Sequence, residues 1–154
     1  IISDTNVYLF GTDADFYNDL MTEELAVEED VHGMMHIYHL YGAHSPYYLT
    51  EDAALDYNSN PIAQWKGCLR IVYDYLEELK DKGLYDSASV IIMADHGLNR
   101  SQREAMDERN IEVSADSNPI FFVKHAGESH DELMIDDREI THDDFFGIVD
   151  EMVR

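Results

Sequence analysis

The chain has 154 residues, enough for one domain with a sizeable core, and its 45% hydrophobic share fits a globular protein rather than a disordered one. Asp and Glu total 33 against 10 Lys and Arg, a formal net charge of -23. A field of that sign repels phosphate backbones and anionic membranes, so nucleic acid is excluded as a partner. No segment approaches the ~20 apolar residues of a membrane span, and no basic-plus-apolar leader opens the chain. The sequence starts at Ile1 without a methionine and reads as a piece of a longer protein, in which any membrane anchor lies upstream. A single cysteine, Cys68, excludes an internal disulfide.

Taken in order, Asn6-Val7-Tyr8-Leu9-Phe10-Gly11 reads as a short strand closed by glycine. Thr12-Asp13-Ala14-Asp15 supplies capping residues for a helix with an imperfect apolar stripe through Phe16, Leu20, Leu25 and Val27. Glu28-Glu29-Asp30 is an exposed acidic turn. Met34 to Leu40 is the next strand candidate, running into Tyr41-Gly42-Ala43-His44-Ser45-Pro46-Tyr47-Tyr48, where Pro46 forbids simple continuation of a ladder. Residues 49–60 are polar and loop-like. Asn60-Pro61 then opens a long helix, with Asn as the cap and Pro at the first position. Its expected core face is Ile62, Trp65, Leu69, Val72, Leu76 and Leu79, and it stops at Lys80, Lys82 and Gly83. Cys68, inside this pattern, is a small core residue rather than a nucleophile.

Ser89-Val90-Ile91-Ile92-Met93-Ala94-Asp95-His96-Gly97 follows. An unbroken, β-branched apolar run suits a strand covered on both faces, as in a parallel sheet. It ends abruptly in an acid, a histidine and a glycine. Residues 98–112 are polar, with a weak helical pattern through Met106. Pro119 to Val123 is a further buried strand ending at Lys124-His125. Residues 127–137 are turn-rich and acidic, and a final helix runs through Phe145, Ile148, Val149 and Met152 with Thr141 or His142 near its cap. The alternation of strands and helices predicts one domain over 1–154, an α/β fold with a mostly parallel, layered sheet. Ligands of such sheets sit beyond the carboxyl ends of strands. His44, the Asp95–His96 pair and His125 all follow strand candidates, and imidazole with carboxylate suits zinc or manganese better than calcium.

Val90 to Gly97 resembles the metal-binding strand of the alkaline phosphatase/sulfatase superfamily, in particular its membrane-anchored branch of lipoteichoic acid synthases and phosphoethanolamine transferases. Gly42-Ala43-His44-Ser45-Pro46 resembles that branch's glycine-x-histidine-x-proline loop. The long helix with Gly83-Leu84-Tyr85-Asp86, the stretch Asn118 to Lys124 and Thr141-His142-Asp143-Asp144-Phe145 resemble later parts of the same domain, so the resemblance runs from about Gly33 onward. It implies a three-layer α/β/α fold, truncated on its N-terminal side, with Asp95 and His96 as ligands of a catalytic zinc or manganese ion. It implies that His44 contacts the transferred phosphate or sulfate of a glycan or lipid substrate. It also implies a cell-envelope or extracellular parent protein. His142 lies in the closing motif, where capping a helix explains it as well as ligation does. Three residues, His44, Asp95 and His96, are then expected to converge at one sheet edge.

The family's nucleophile and a further acidic ligand lie in an N-terminal half that this chain lacks. Thr5 does not sit in the family's nucleophile context, and Cys68 lacks the sulfatase context for conversion to an aldehyde. The chain therefore reads as part of a metal-dependent phospho- or sulfo-ester hydrolase or transferase, inactive by itself. The histidine at position 96 leans toward phosphate, since sulfatases commonly carry asparagine there. Two other readings stand beside it: a non-catalytic domain that binds an anionic glycan, and an acidic protein-interaction module in which Asp95 and His96 only close a turn.

Overall fold

The computed structural model describes residues 11–23, 25, 35–110 and 119–152. The chain divides into two compact units, Ile1–Glu78 and Leu79–Arg154.

In the first unit, helix α1 spans Asp13–Thr22. Thr12 caps it, its Oγ1 accepting the Asp15 N–H at 3.2 Å. Asp13 and Asp15 in the first turn complement the positive end of the helix dipole. Helix α2 spans Pro61–Asp81, with its final turn entering the second unit. The Asn60 side chain accepts the N–H groups of Ile62 and Ala63 at 3.1 and 3.2 Å, and Pro61 takes the position where no N–H is needed. Ala14, Phe16 and Leu20 from α1, Tyr48, Leu49 and Ala53 from the intervening loop, and Ile71 from α2 form the core. Burying a side chain such as Leu49 or Ile71 completely contributes about 1.5–3 kcal/mol each.

The face of α2 that packs inward matches the expected one only in part: Leu79 is buried and Ile62, Trp65, Val72 and Leu76 are half-buried, but the fully buried positions lie mostly beside them. Gln64, Gly67 and Ile71 are buried, with Cys68 and Tyr75 partly buried against the core, while Leu69 is 59% exposed. The reason is a close approach. A Cβ on Gly67 would run into the Thr50 carbonyl oxygen and lie 3.0 Å from Leu49 Cβ. The loop therefore seats on the glycine, and the helix turns that side inward.

In the second unit, α2 ends in a left-handed Gly83 with φ of 69°. The N–H of Gly83 donates to the Lys80 carbonyl at 2.9 Å and that of Leu84 to the Leu79 carbonyl at 2.8 Å. Strand β1, Val90–Met93, pairs with strand β2, Phe121–Lys124, in antiparallel register, Val90 opposite Lys124 and Met93 opposite Phe121. Helix α3, Arg100–Asp107, follows β1. A 3-10 turn over His142–Asp144 leads into helix α4, Phe145–Met152, which contains no buried residue.

This overturns the expected three-layer α/β/α fold with a mostly parallel sheet. Among the described residues there is one two-stranded antiparallel sheet and, apart from it, only an isolated bridge between Leu49 and Leu55. The expected strand at 34–40 is irregular over 35–40, where Met35 is 59% and Ile37 77% exposed. The expected strand at 6–10 lies outside the described residues. A parallel sheet needs helices on both faces. Here α4 buries nothing, and both sheet faces stay partly open, with Phe122 40% and Met93 39% exposed. The apolar run of β1 correctly marks a strand, but apolarity does not encode the direction of its partner. No helix among the described residues is long and apolar enough to cross a membrane.

Candidate functional site

His44 stands on the loop between α1 and α2, and two buried polar side chains hold that loop. Asp13, 4% exposed, accepts the N–H of Tyr41 on Oδ1 at 2.7 Å and that of Gly42 on Oδ2 at 2.8 Å. Gln64, fully buried, accepts the N–H groups of Tyr48 and Leu49 on Oε1, both at 2.9 Å, and donates from Nε2 to the Gly42 carbonyl at 2.6 Å. Gly42 has φ of 69°, which turns its amide inward beside that of Tyr41. Burial pushes the Asp13 carboxyl above the ordinary range, opposed by the two N–H donors and by His39. Burial and the Asp13 charge push the Tyr48 hydroxyl up to about 12. Burial likewise raises the Cys68 thiol to about 12, and Cys68 packs, partly buried, against the core.

The imidazole of His44 is exposed. Its ring meets Tyr41 edge-on at 5.5 Å, and Nδ1 donates to the Ser45 carbonyl. The Tyr41 hydroxyl donates to the same carbonyl at 3.1 Å. A carbonyl can only accept, so Nδ1 carries the proton and the ring's lone pair is on Nε2.

Asp95 and His96 follow β1 directly, as the sequence implies. Both are exposed, with side chains 87% and 55% accessible, and His96 Nε2 lies 3.8 Å from Asp95 Oδ1. His96 repeats the local pattern of His44: Nδ1 donates to the carbonyl of the next residue, Gly97, at 2.7 Å. Just beyond, Asn99 and Gln102 form a reciprocal cap at the start of α3, the Gln102 N–H to Asn99 Oδ1 at 3.0 Å and the Asn99 N–H to Gln102 Oε1 at 2.8 Å. The Asp-His turn is thus fixed between a strand and a capped helix. Two donors of a tetrahedral zinc ion with bonds of about 2.0–2.1 Å lie roughly 3.3–3.4 Å apart, so the pair at 3.8 Å is slightly wider than a bound ion would hold it. Among the described residues, no three His, Cys, Asp or Glu side chains gather to complete a metal set.

No known protein family, curated protein or solved structure matches this chain.

The expected convergence of strand ends fails for His125. Because β1 and β2 run antiparallel, Met93 and Lys124 sit at opposite ends of the ladder. His125, one residue past Lys124, is about 13 Å along the strands from Met93, the last residue of β1 before the Asp95–His96 turn. It belongs to a turn of its own, its N–H donating to Glu128 Oε2 at 2.8 Å while His130 Nε2 donates to Glu128 Oε1 at 2.8 Å. The His125 N–H and then His130 hold the Glu128 carboxyl below the ordinary range. His142 opens the 3-10 turn, whose cap is made by Asp144: its Oδ2 accepts both the N–H and the hydroxyl of Thr141 at 2.8 Å. Thr5 lies outside the described residues. His44 belongs to the first unit and the Asp95–His96 pair to the second.

Sequence reasoning missed Asp13 and Gln64 as builders of the His44 loop. Asp13 read only as a capping residue. A signal was present in both cases: a polar side chain stands where the helix turns toward an apolar neighbour, Asp13 beside Ala14 and Phe16, and Gln64 one turn before Cys68.

Proposed function

We propose that the chain is part of a metal-dependent phospho- or sulfo-ester hydrolase or transferase, in which Asp95 and His96 of the second unit are two ligands of a zinc or manganese ion; for the first unit we propose, separately, that the His44 imidazole contacts an anionic group. One observation carries the reading: Asp95 Oδ1 and His96 Nε2 are 3.8 Å apart and exposed at the end of β1, and the Nδ1 bond to Gly97 places the lone pair on the ring nitrogen nearer the carboxylate. Carboxylate–imidazole pairs with an oriented ring are the donor chemistry of zinc and manganese sites. A bound ion of this kind polarises ester oxygens. On the protein side, Asp95 offers the carboxylate and His96 the oriented nitrogen; His44, in the first unit, offers an oriented imidazole to an anionic group. The substrate class is a phosphorylated or sulfated glycan or lipid.

The test is zinc and manganese binding to the 154-residue chain, followed through the His96 ring resonances. We expect weak binding, since two donors make a partial set, and a loss of at least about tenfold in affinity in D95A or H96A. Zinc affinity in H96A equal to that of the wild-type chain would refute the ligand assignment.

A further inference from the structure

Among the described residues of the first unit, the buried polar side chains Asp13 and Gln64 are both spent on the loop carrying His44. A buried carboxylate is expensive unless donors surround it, and both Asp13 oxygens are matched by consecutive amides of Tyr41 and Gly42. Successive N–H groups converging on one anion make a concave nest, and Gly42 in the left-handed region provides it. Gln64 performs the complementary task from the other helix. Its oxygen takes the two amides at the far end of the loop, Tyr48 and Leu49, and its nitrogen returns to the Gly42 carbonyl. Gly42 is therefore pinned on both sides, its N–H to α1 and its carbonyl to α2. His44 stands two residues further on.

An apolar side chain at either position would leave backbone groups of the loop without a partner, so Asp13 and Gln64 contribute to stability as well as to geometry. What five directed hydrogen bonds supply, and an apolar contact does not, is a fixed backbone path. The path sets the ring: Tyr41, whose amide Asp13 holds, is the residue whose ring meets His44 edge-on and whose hydroxyl shares the Ser45 carbonyl with His44 Nδ1.

We propose that Asp13 and Gln64 are positioning residues, which preorganise the loop over 41–49 so that the His44 imidazole is presented in one orientation. Its use toward an anionic ester rests on the functional reading above, whereas the clamp itself does not.

The experiment uses the isotopically labelled 154-residue chain. The readouts are hydrogen exchange at Tyr41, Gly42, Tyr48 and Leu49, and the ring resonances of His44. D13N and D13A are expected to speed exchange at Tyr41 and Gly42 by at least about tenfold relative to amides of α2, the loss of a charge-assisted bond. They also move the His44 ring resonances toward those of an unstructured peptide. I71V, a comparable core defect with no polar role, should leave the His44 ring unmoved. Formate added to D13A is expected to restore the His44 resonances by refilling the nest. Should D13A fail to fold, D13N carries the test. Wild-type His44 resonances and wild-type exchange in D13N, or an equal displacement of the ring in I71V, would overturn the proposal. A separate titration with inorganic phosphate tests the ligand. If phosphate leaves the wild-type His44 ring unperturbed while D13N displaces it, the functional reading falls and the positioning role stands.

Discussion

The loop of His44 and the turn of Asp95–His96 each display an imidazole at the surface, with Nδ1 tied to the next carbonyl. They are built by opposite means. The first is held from beneath by Asp13 and Gln64, both buried, acting on backbone more than 20 residues away in the case of Asp13. The second follows β1, where the Ala94 N–H donates to the Ile120 carbonyl at 3.1 Å, and precedes the Asn99–Gln102 cap, so most of its support is close in sequence. A site on a buried clamp loses its geometry when the clamp's own polar side chains are removed. A site on local structure loses only its own chemistry when its side chains change.

Four substitutions sharpen that contrast, and the largest effect belongs to the clamp. Gln64→Leu leaves two amides and one carbonyl of the loop without their partner, and we expect a loss of about 2–4 kcal/mol in urea unfolding. Gly67→Ala places a methyl against the Thr50 carbonyl oxygen and Leu49, where backbone cannot step aside. The expected loss is about 1–3 kcal/mol, after the gain in helix propensity. Tyr47→Phe has the opposite sign. The Tyr47 hydroxyl is buried without a hydrogen-bond partner among the described residues, so its removal should stabilise by about 1 kcal/mol, visible as a higher thermal midpoint. His96→Ala should fall within about 0.5 kcal/mol of wild type, since the side chain is exposed. A large loss there would mean that the Asp-His turn also depends on buried support.

A pH series separates the regions further. Asp13 has its carboxyl raised by burial in the folded state. The native chain then holds that proton more tightly than the unfolded one, so this contribution to stability is largest at low pH and is lost as pH rises through the folded value. The stability of wild type relative to D13N should therefore fall as pH rises from the unfolded carboxyl value near 3.8 toward neutrality, and then level off. Glu128, Asp136 and Asp144 are shifted the other way, by hydrogen bonds that favour the charged form. Their contribution is present above the unfolded carboxylate value and is lost as pH falls. Asp136 and Asp144 are exposed and Glu128 is half-buried near the surface, so these contributions are small and E128Q should lower the midpoint only slightly at neutral pH.

What could be read from the residues alone was local. Thr12 as a helix cap, Asn60-Pro61 as a helix start and Gly83 as its stop depend on contacts within about four residues, and each occurs where the sequence places it. The existence of β1 and β2 and the position of Asp95 and His96 just past β1 were legible for the same reason. Tertiary structure decided the rest. The partner direction of β1 depends on a segment some 30 residues later, and an apolar run is equally compatible with parallel and antiparallel neighbours. The inward face of α2 was set by Gly67 against the Thr50 carbonyl and by Gln64 reaching the loop, both of which outweigh the periodicity of Ile62, Trp65, Leu69 and Val72. A buried glutamine looks like an exposed one until the amides it serves are in place, and those amides are brought to it only by the fold.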